Sequence, residues 1–483
     1  MNRPLRRVSI AVLVLFLALL ANLNYLQVVA APALRNATGN YRLVLEQYSH
    51  ERGPILVDGR PVAYSTATND KLKYLRGYSN GSLYAQVTGY YSIVYGSTGI
   101  EHAENSVLSG SSDALFVRRL VDILTGRAPQ GGSVTLTLNP AAQRAAAAAL
   151  GKRPGAVVAI DPSTGAILAL VSSPTFDPNK LSSHDPSAIR AYYQTLLANP
   201  LTPLLDRAIN QTYPPGSTFK LVTTAAALSS GRYQPDSKVP GPAALPLPGT
   251  TITLPNYDNR PCTAGSQTTT LLTAFERSCN ATYGAVGMDL GASALAAQAE
   301  KFGFNSSFSL PLSTATSIFP SGLNAPQTAQ SAIGQFDVTA TPLQMAMVAA
   351  AIANRGVLMK PYLVSEVRGP DLTLLSRTQP SVLDTAVSPQ VAAQMTTMLV
   401  DVVTHGTGPN AAIPGVEVAG KTGTAQVGNG KKPHAWFVSF APAQDPKVAV
   451  AVIVENGGGA AEVSGNQLAA PIARAVMEAV IGK

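Results

Sequence analysis

The sequence predicts a mixed α/β (α+β) chain whose main domain is built on a central antiparallel sheet. Three observations lead there. Two apolar runs within 155–172 flank Asp161-Pro162-Ser163-Thr164-Gly165, the pattern of a β-hairpin. A second antiparallel pair lies near the C-terminus, at 434–441 and 447–455, joined by Pro442-Ala443-Gln444-Asp445-Pro446. Between the two pairs the residues read mostly as helix. Strands at both ends of a segment with helices between them are most simply one mixed domain. The 483 residues suffice for two or three domains, and 13% charged against 46% apolar residues argues against disorder over most of the length.

At the N-terminus, Arg3, Arg6 and Arg7 precede an uncharged stretch, 8–34, that is almost wholly apolar as far as Ala21. A spanning helix needs about 20 residues, and a positive flank stays in the cytoplasm. The expectation is a cytoplasmic tail at 1–7, a single-pass signal anchor at 8–30 in the lipid bilayer of the cell membrane, and an extracytoplasmic bulk. A cleaved signal peptide, with Ala31-Pro32-Ala33 as its small-residue site, is the competing reading. Residues 35–132 read as a small N-terminal pedestal domain. It holds a short strand and turn at 52–60, a strand at 87–92, a helix at 113–124 capped by Gly126, and a Pro/Gly linker at 127–133. No cofactor motif lies there, so it sets a distance from the membrane or docks a partner.

The main domain is expected over 134–483. After the hairpin, Pro214-Pro215-Gly216 stops one element and Ser217 opens a helix reaching about Ser229. Further helices are expected at 269–277, 293–302, 341–354 and 388–404, the last two with Pro in the first turn and Gly after the end. A strand at 415–426 and a terminal helix at 467–481 complete the chain.

Three short motifs follow one another: Ser217-Thr218-Phe219-Lys220, Ser278-Cys279-Asn280 and Lys421-Thr422-Gly423. None is specific alone; the ordered set is. Ser217 and Lys220 share a helix face, and a helix N-terminus favours negative charge developing at Ser217. Serine is a weak nucleophile without a base. Lysine serves only if burial or a neighbouring cation lowers its pKa from about 10.4, and Phe219, Leu221 and Val222 predict that burial. Taken alone, a capping serine followed by a solvated lysine explains the same tetrapeptide. Ser278 and Asn280 enter one cleft only from a loop or irregular turn. There Ser278 relays a proton, while Asn280 holds Lys220 and binds a substrate amide. Capping of a helix at 281–291 is the plainer alternative. Lys421 offers charge to a substrate carboxylate, and Gly423 lets a ligand or backbone lie close. The backbone N–H of Thr424 pairs with that of Ser217 as an oxyanion hole. A lysine-rich turn is the alternative, since Lys431 and Lys432 lie nearby. Together the motifs describe a serine acyl transferase.

The two cysteines, Cys262 and Cys279, permit one disulfide in an exported chain. It would add about 3 kcal/mol in the chain-entropy model and tie down the loop presenting Ser278 and Asn280. Two separate buried thiols are the other reading. The net charge of +8 lacks the basic stripe with interleaved aromatics of a nucleic-acid binder, and Trp436 is the sole tryptophan. An anionic lipid or wall surface suits that charge, and no nucleic-acid partner is expected. The five histidines are scattered without metal spacing. No acid–histidine pair near Ser217 suggests a triad, and the Gly-rich 455–461 is too plain for a phosphate loop and reads as a mobile turn. No metal and no cofactor are expected.

On these residues the chain resembles the class B penicillin-binding proteins. The resemblance is carried by the three motifs together with Tyr213-Pro214-Pro215-Gly216 before the first, Gly334-Gln335, Thr341-Pro342-Leu343-Gln344, Gly406-Thr407-Gly408, Ala425-Gln426 and His434-Ala435-Trp436-Phe437. Arg52-Gly53-Pro54-Ile55, Glu101 and Asn105 resemble the family's pedestal, and the short length is closest to the actinobacterial branch. The resemblance implies the penicillin-binding transpeptidase fold, a five-stranded antiparallel sheet with helices on both faces. It implies D,D-transpeptidation of peptidoglycan stem peptides. Ser217 would attack the penultimate D-Ala carbonyl, Lys220 take the proton, Ser278 and Asn280 complete the proton network, and Lys421 and Thr422 bind the stem carboxylate. β-Lactams would acylate the same serine, and a membrane glycan polymerase is the protein partner the resemblance allows. Cys279 inside the second motif and the 426–434 stretch, with its open question of a lid, depart from the wider pattern. A serine β-lactamase, a D,D-carboxypeptidase and a mainly scaffolding division or elongation protein are the alternatives. The first is disfavoured because no Glu-x-x-Leu-Asn segment follows the nucleophile.

Overall fold

The computed structural model describes residues 2–30, 48–112, 115, 124–125, 130–308, 310–428, 430–460 and 463–483. Its central sheet has five strands in the order Ala419–Ala425, His434–Ala441, Val448–Val454, Gly155–Ile160, Ile167–Ser173, and every pairing is antiparallel. The two hairpins read from sequence therefore join edge to edge, through Val448–Val454 and Gly155–Ile160. Three of these strands are buried along their whole length, which requires cover on both faces. The period of two sorts the cover. Ala156, Val158 and Ile160 point into one core with the helix Pro342–Ala353. Val157 and Ala159 point into another with the helices Pro140–Leu150 and Ala470–Ile481. All twelve residues of Pro342–Ala353 are buried, the state expected of a helix apolar all round.

A second sheet has six strands in the order Leu374–Arg377, Val364–Arg368, Ser133–Leu136, Ile55–Val57, Arg60–Ala67, Tyr74–Tyr78. Ile55–Val57 runs parallel to Ser133–Leu136 and the other neighbours are antiparallel. Strands from 55–78 and from 364–377 thus share one sheet, with Ser133–Leu136 between them. Ser133, read as the end of a linker, is a strand residue.

Several local expectations are corrected. Val87 and Thr88 close the helix Gly81–Thr88, and only Tyr91–Ser92 is strand. Leu83, Tyr84 and Val87 recur at helical spacing, and Gly89 ends the helix at φ 68°, where a Cβ would lie 2.0 Å from Thr98 O. The helix expected from 269 begins at Leu271, because Thr268–Thr270 pairs with Lys238–Pro240 and Thr270 then caps Leu271–Glu276. The terminal helix is two pieces, Gly465–Leu468 and Ala470–Ile481, with Pro471 in the first turn of the second. Two helices without an individual expectation, Pro140–Leu150 and Pro186–Leu197, carry readable starts. Asn139 and Asp185 each accept two backbone N–H groups just ahead of a proline. The expected helix at 113–124 lies almost wholly outside the described residues, as do Gly126, much of the linker and Ala31-Pro32-Ala33. Near the N-terminus the helix Asn2–Asn24 continues as a π-helical turn, Tyr25–Val29. Its span Arg3–Val29 is long and apolar enough to cross a membrane.

Candidate active site

Pro214 and Pro215 stop the preceding element, and Gly216 turns the chain at φ 54°. The residues Gly216–Phe219 then form a 3-10 turn, from which the α-helix Lys220–Ser229 continues. Ser217 therefore sits one turn ahead of the α-helix expected to begin with it. Three residues per turn eclipse positions i and i+3, which sets Ser217 directly above Lys220. The turn is held from three sides. Gly216 N–H donates to Gly334 O at 2.9 Å, and a Cβ on Gly334 would lie 2.3 Å from Gly216 O. Trp436 Nε1 donates to Pro214 O at 3.1 Å, and Glu455, paired with Arg207, accepts from the Tyr213 hydroxyl. A Cβ on Gly423 would meet Thr218 and Trp436 at 2.9 Å, so glycine there lets the edge strand Ala419–Ala425 lie against the turn.

Ser278 and Asn280 reach the same place from a strained corner. Ser278 has φ 60°, a left-handed conformation that a non-glycine residue adopts at a cost. It turns the Ser278 carbonyl inward, where Lys220 Nζ donates to it at 2.7 Å. Cys279 follows as the N-cap, and Asn280 is the first residue of the helix Asn280–Leu290. Lys220 Nζ also contacts Asn280 Oδ1 at 2.8 Å and Ser278 Oγ at 3.3 Å. Lys421 Nζ lies 2.8 Å from Ser278 Oγ and 3.2 Å from Thr422 O. Ser278 Oγ is thus the atom between two amines. Ser217 Oγ, half-buried, has no hydrogen-bond partner among the described residues.

Both lysines are fully buried, and no carboxylate is hydrogen-bonded to either amine among the described residues. Burial first, and then the charge of Lys421, drive the Lys220 amine well below the usual lysine range. Burial brings Lys421 down to about 7. A neutral Lys220 has two N–H bonds and one lone pair. The Ser278 carbonyl and Asn280 Oδ1 take the two hydrogens, which leaves the lone pair to accept a proton. The Tyr283 ring stands 5.4 Å from Lys220 Nζ, its hydroxyl engaged with Thr224 at 2.7 Å.

The bridge Cys262–Cys279, with Cα atoms 5.8 Å apart, ties the loop at 255–265 to this corner. Asn256 reinforces it: its side chain accepts from Ala281 N–H at 2.9 Å and donates to Pro242 O and Arg260 O. Reducing the bridge is expected to lower stability by about 3 kcal/mol and to slow acylation of Ser217 on the order of tenfold, within the hundredfold that a 1 Å misplacement costs. Thermal unfolding and the rate of labelling by a fluorescent penicillin, before and after reduction, check both. Labelling at an unaltered rate would mean that Asn256 alone holds the corner.

Two cavities meet at Ser217. One, of about 440 Å³, is walled by Leu254, Asn259, Gln330, Gln335 and Gln426 and has no charged side chain in its lining. The other, of about 400 Å³, is walled by Arg277, Thr407, Thr422, Ser464 and Asn466. Ser217, Tyr257, Asn280 and Thr424 line both. Thr407 and Thr422 share a hydroxyl hydrogen bond of 2.7 Å. The structure therefore brings Ser217, Lys220, Ser278, Asn280, Lys421, Thr422 and Thr424 to one crevice. Gly423 instead faces Thr218 and Trp436 on the other side of the strand, and Cys262–Cys279 lines a cavity beside the crevice. Asn256, Tyr257, Tyr283 and Arg277 were not singled out from sequence. Thr407 had a signal, its Gly-Thr-Gly setting, but the other four stand in no motif. Among the described residues no group of three or more His, Cys, Asp or Glu could hold a metal.

Residues 155–478 match the model of the penicillin-binding protein transpeptidase domain, and 52–134 that of the penicillin-binding protein A dimerisation domain. The chain is 48% identical to the peptidoglycan D,D-transpeptidase PbpA of Mycolicibacterium smegmatis, covering 100% of this chain and 99% of that one. It is 47% identical, over the same shares, to PbpA of Mycobacterium tuberculosis. The ceftriaxone acyl-enzyme complex of penicillin-binding protein A from M. tuberculosis superposes with a TM-score of 0.88 over 90% of this chain and 100% of that one, at 47% identity. Penicillin-binding protein 2 of Pseudomonas aeruginosa, in complex with WCK 5153, gives 0.75 at 29% identity, over 89% of this chain and 94% of that one.

Proposed function

Since the chain belongs to the class B penicillin-binding proteins and is a peptidoglycan D,D-transpeptidase, we propose that Ser217 is its nucleophile, that buried Lys220 takes its proton and that buried Lys421 holds charge for the substrate. Ser217 Oγ attacks the penultimate D-Ala carbonyl of a stem peptide and passes its proton to neutral Lys220. The backbone N–H groups of Ser217 and Thr424 receive the oxyanion. Ser278, between the two amines, relays a proton to the departing D-Ala nitrogen and is reprotonated by Lys220. Lys421, Thr422 and Thr407 hold the terminal carboxylate, Asn280 positions Lys220 and a substrate amide, and Gly423 lets the strand lie against the turn that carries Ser217. An amine of a neighbouring stem then takes the acyl group. A β-lactam enters the same first step.

The observation that carries this reading is the burial of the Lys220 amine without a carboxylate, in hydrogen-bond reach of Ser278 and Asn280. The lining of the two cavities also lacks a carboxylate to activate water, which favours a long-lived acyl-enzyme over a β-lactamase or carboxypeptidase outcome. Intact-mass measurement after penicillin treatment tests it. One adduct lasting many minutes is expected on the full chain and none on Ser217→Ala. An adduct on Ser217→Ala, or rapid release of hydrolysed drug, would overturn the assignment.

The membrane placement follows from the apolar helix with Arg3, Arg6 and Arg7 at its start. These residues stay inside and the catalytic domain lies outside the membrane. Residues 35–132 form the pedestal and 134–483 the transpeptidase domain, and the pedestal is the face offered to a membrane glycan polymerase. Crosslinking in intact membranes from pedestal positions that captures no such enzyme would refute the partnership.

A further inference from the structure

A third cavity, of about 500 Å³, adjoins the catalytic crevice on the far side of Ser278. Asn256, Tyr257, Arg260, Arg277 and the Cys262–Cys279 bridge form its walls. Ser278, Tyr257 and Arg277 also line the cavity that holds Thr422, so the two spaces adjoin at these side chains. The number of arginines separates the three cavities around Tyr257. The first has no charged side chain, the second has Arg277 and the third has Arg260 and Arg277 together. Asp258 is the acid of the third cavity, and its Oδ1 accepts the backbone N–H of Arg260 at 3.1 Å within its own turn. Arg277 spends one donor on Cys262 O, at 3.1 Å. The Arg260 guanidinium has no partner among the described residues. The walls are rigid where it matters, since the disulfide and Asn256 fix the loop from both ends. Tyr257, 81% exposed, is a large side chain that this fixed loop holds out of any core. It stands as the partition common to all three spaces.

We propose that the third cavity seats the acceptor strand, with Arg260 and Arg277 binding a carboxylate that the attacking amine carries with it. The proposal rests on the transpeptidase reading and names a substrate subsite for its second half-reaction. In that step the amine nitrogen attacks the carbonyl carbon of the Ser217 ester. The C–N bond forms, the C–Oγ bond breaks, and the proton shed by nitrogen ends on Ser217 Oγ by way of Ser278 and Lys220. Only the neutral amine can attack. A wall of carboxylates would hold it as ammonium, whereas guanidinium groups nearby favour the free base. Planar guanidinium forks bind a carboxylate in two contacts, which supplies the acceptor with the affinity its amine cannot take from a cationic site. Water carries no such handle, so the same two residues tilt the acyl-enzyme toward transfer and away from hydrolysis.

The test uses the full chain, a thioester donor ending in D-Ala-like chemistry, and two acceptors differing only in charge, 6-aminohexanoate and 6-aminohexanamide. The transfer-to-hydrolysis ratio is read per acyl-enzyme formed, so that changes in the first half-reaction cancel. The wild type is expected to favour the carboxylate acceptor at least tenfold. Arg260→Glu should abolish that preference, and Arg260→Lys, which keeps the charge but loses the fork, should retain a reduced one. A wild type indifferent to the acceptor's charge, or an Arg260→Glu variant with the preference intact, would overturn the proposal while leaving the transpeptidase reading in place. Failure of the wild type to form any acyl-enzyme from the donor would overturn that reading, and the subsite with it.

Discussion

Lys220→Met is expected to slow acylation of Ser217 by a penicillin about a thousandfold, in the middle of the range a positioned general base supplies, while the protein stays folded. Methionine fills the buried apolar volume without a charge. The loss falls on the proton acceptor that the proposed mechanism assigns to Ser217. The pH profile separates this from a packing defect. Lys220 lies well below the ordinary lysine range, so acylation should rise with pH as the amine loses its proton. In the free enzyme it should fall again as Lys421, at about 7, loses the charge that holds the substrate carboxylate. Stability has its own sign. A lysine lowered on folding makes the unfolded chain bind more protons, so stability increases as pH rises from the folded pKa to the unfolded value near 10.4. Lys220→Met should lose its share of that slope. An acid limb that persists in the variant, or a rate within tenfold of wild type, would remove Lys220 from the base role.

The parts of the site that sequence made legible are those with local rules. Ser217 and Lys220 are separated by one turn, and apolar neighbours announced the burial of Lys220. The hairpins at 155–173 and 434–454 are paired apolar runs around turn residues, and both appear in the sheet. What stayed hidden depends on distant partners. Whether Ser217 begins an α-helix or a 3-10 turn is decided by Gly334 and Trp436, which clamp the turn from more than a hundred residues away. The left-handed Ser278 is stabilised by Lys220 and by the Cys262–Cys279 bridge, neither of which is visible in Ser278-Cys279-Asn280 itself. Thr269 and Thr270 read as a helix start until Lys238–Pro240 pairs with Thr268–Thr270. Ser133 reads as the end of a linker until Val364–Arg368 pairs with Ser133–Leu136 and completes the sheet around it.

That shared sheet gives the pedestal side its largest expected effect, at Glu101. The Glu101 carboxylate is fully buried and receives Arg52 Nε on one oxygen and Arg76 Nε on the other, each at 2.6 Å, with the Tyr78 hydroxyl at 3.2 Å. Arg52 also reaches Asn105 Oδ1 at 2.7 Å, so one acid joins the loop before Ile55, the strand Tyr74–Tyr78 and the helix Gly99–Ala103. Burial pushes the Glu101 carboxyl up, yet the two guanidinium groups outweigh it and the net shift is downward. Glu101→Gln keeps the shape and removes the charge, stranding two buried cations. Breaking a buried pair from one side costs about 3–5 kcal/mol. Because the strand Ser133–Leu136 pairs with both Ile55–Val57 and Val364–Arg368, the loss should pass into the transpeptidase side and lower a single unfolding transition. A separate early transition confined to the pedestal would contradict that coupling. The acid in wild type adds a pH signature. Its stabilisation is present above the unfolded glutamate pKa of about 4.3 and is lost as pH falls through the lower folded value. The difference in stability between wild type and Glu101→Gln should therefore shrink in strong acid, and a difference that stays constant there would place the effect in packing instead of charge.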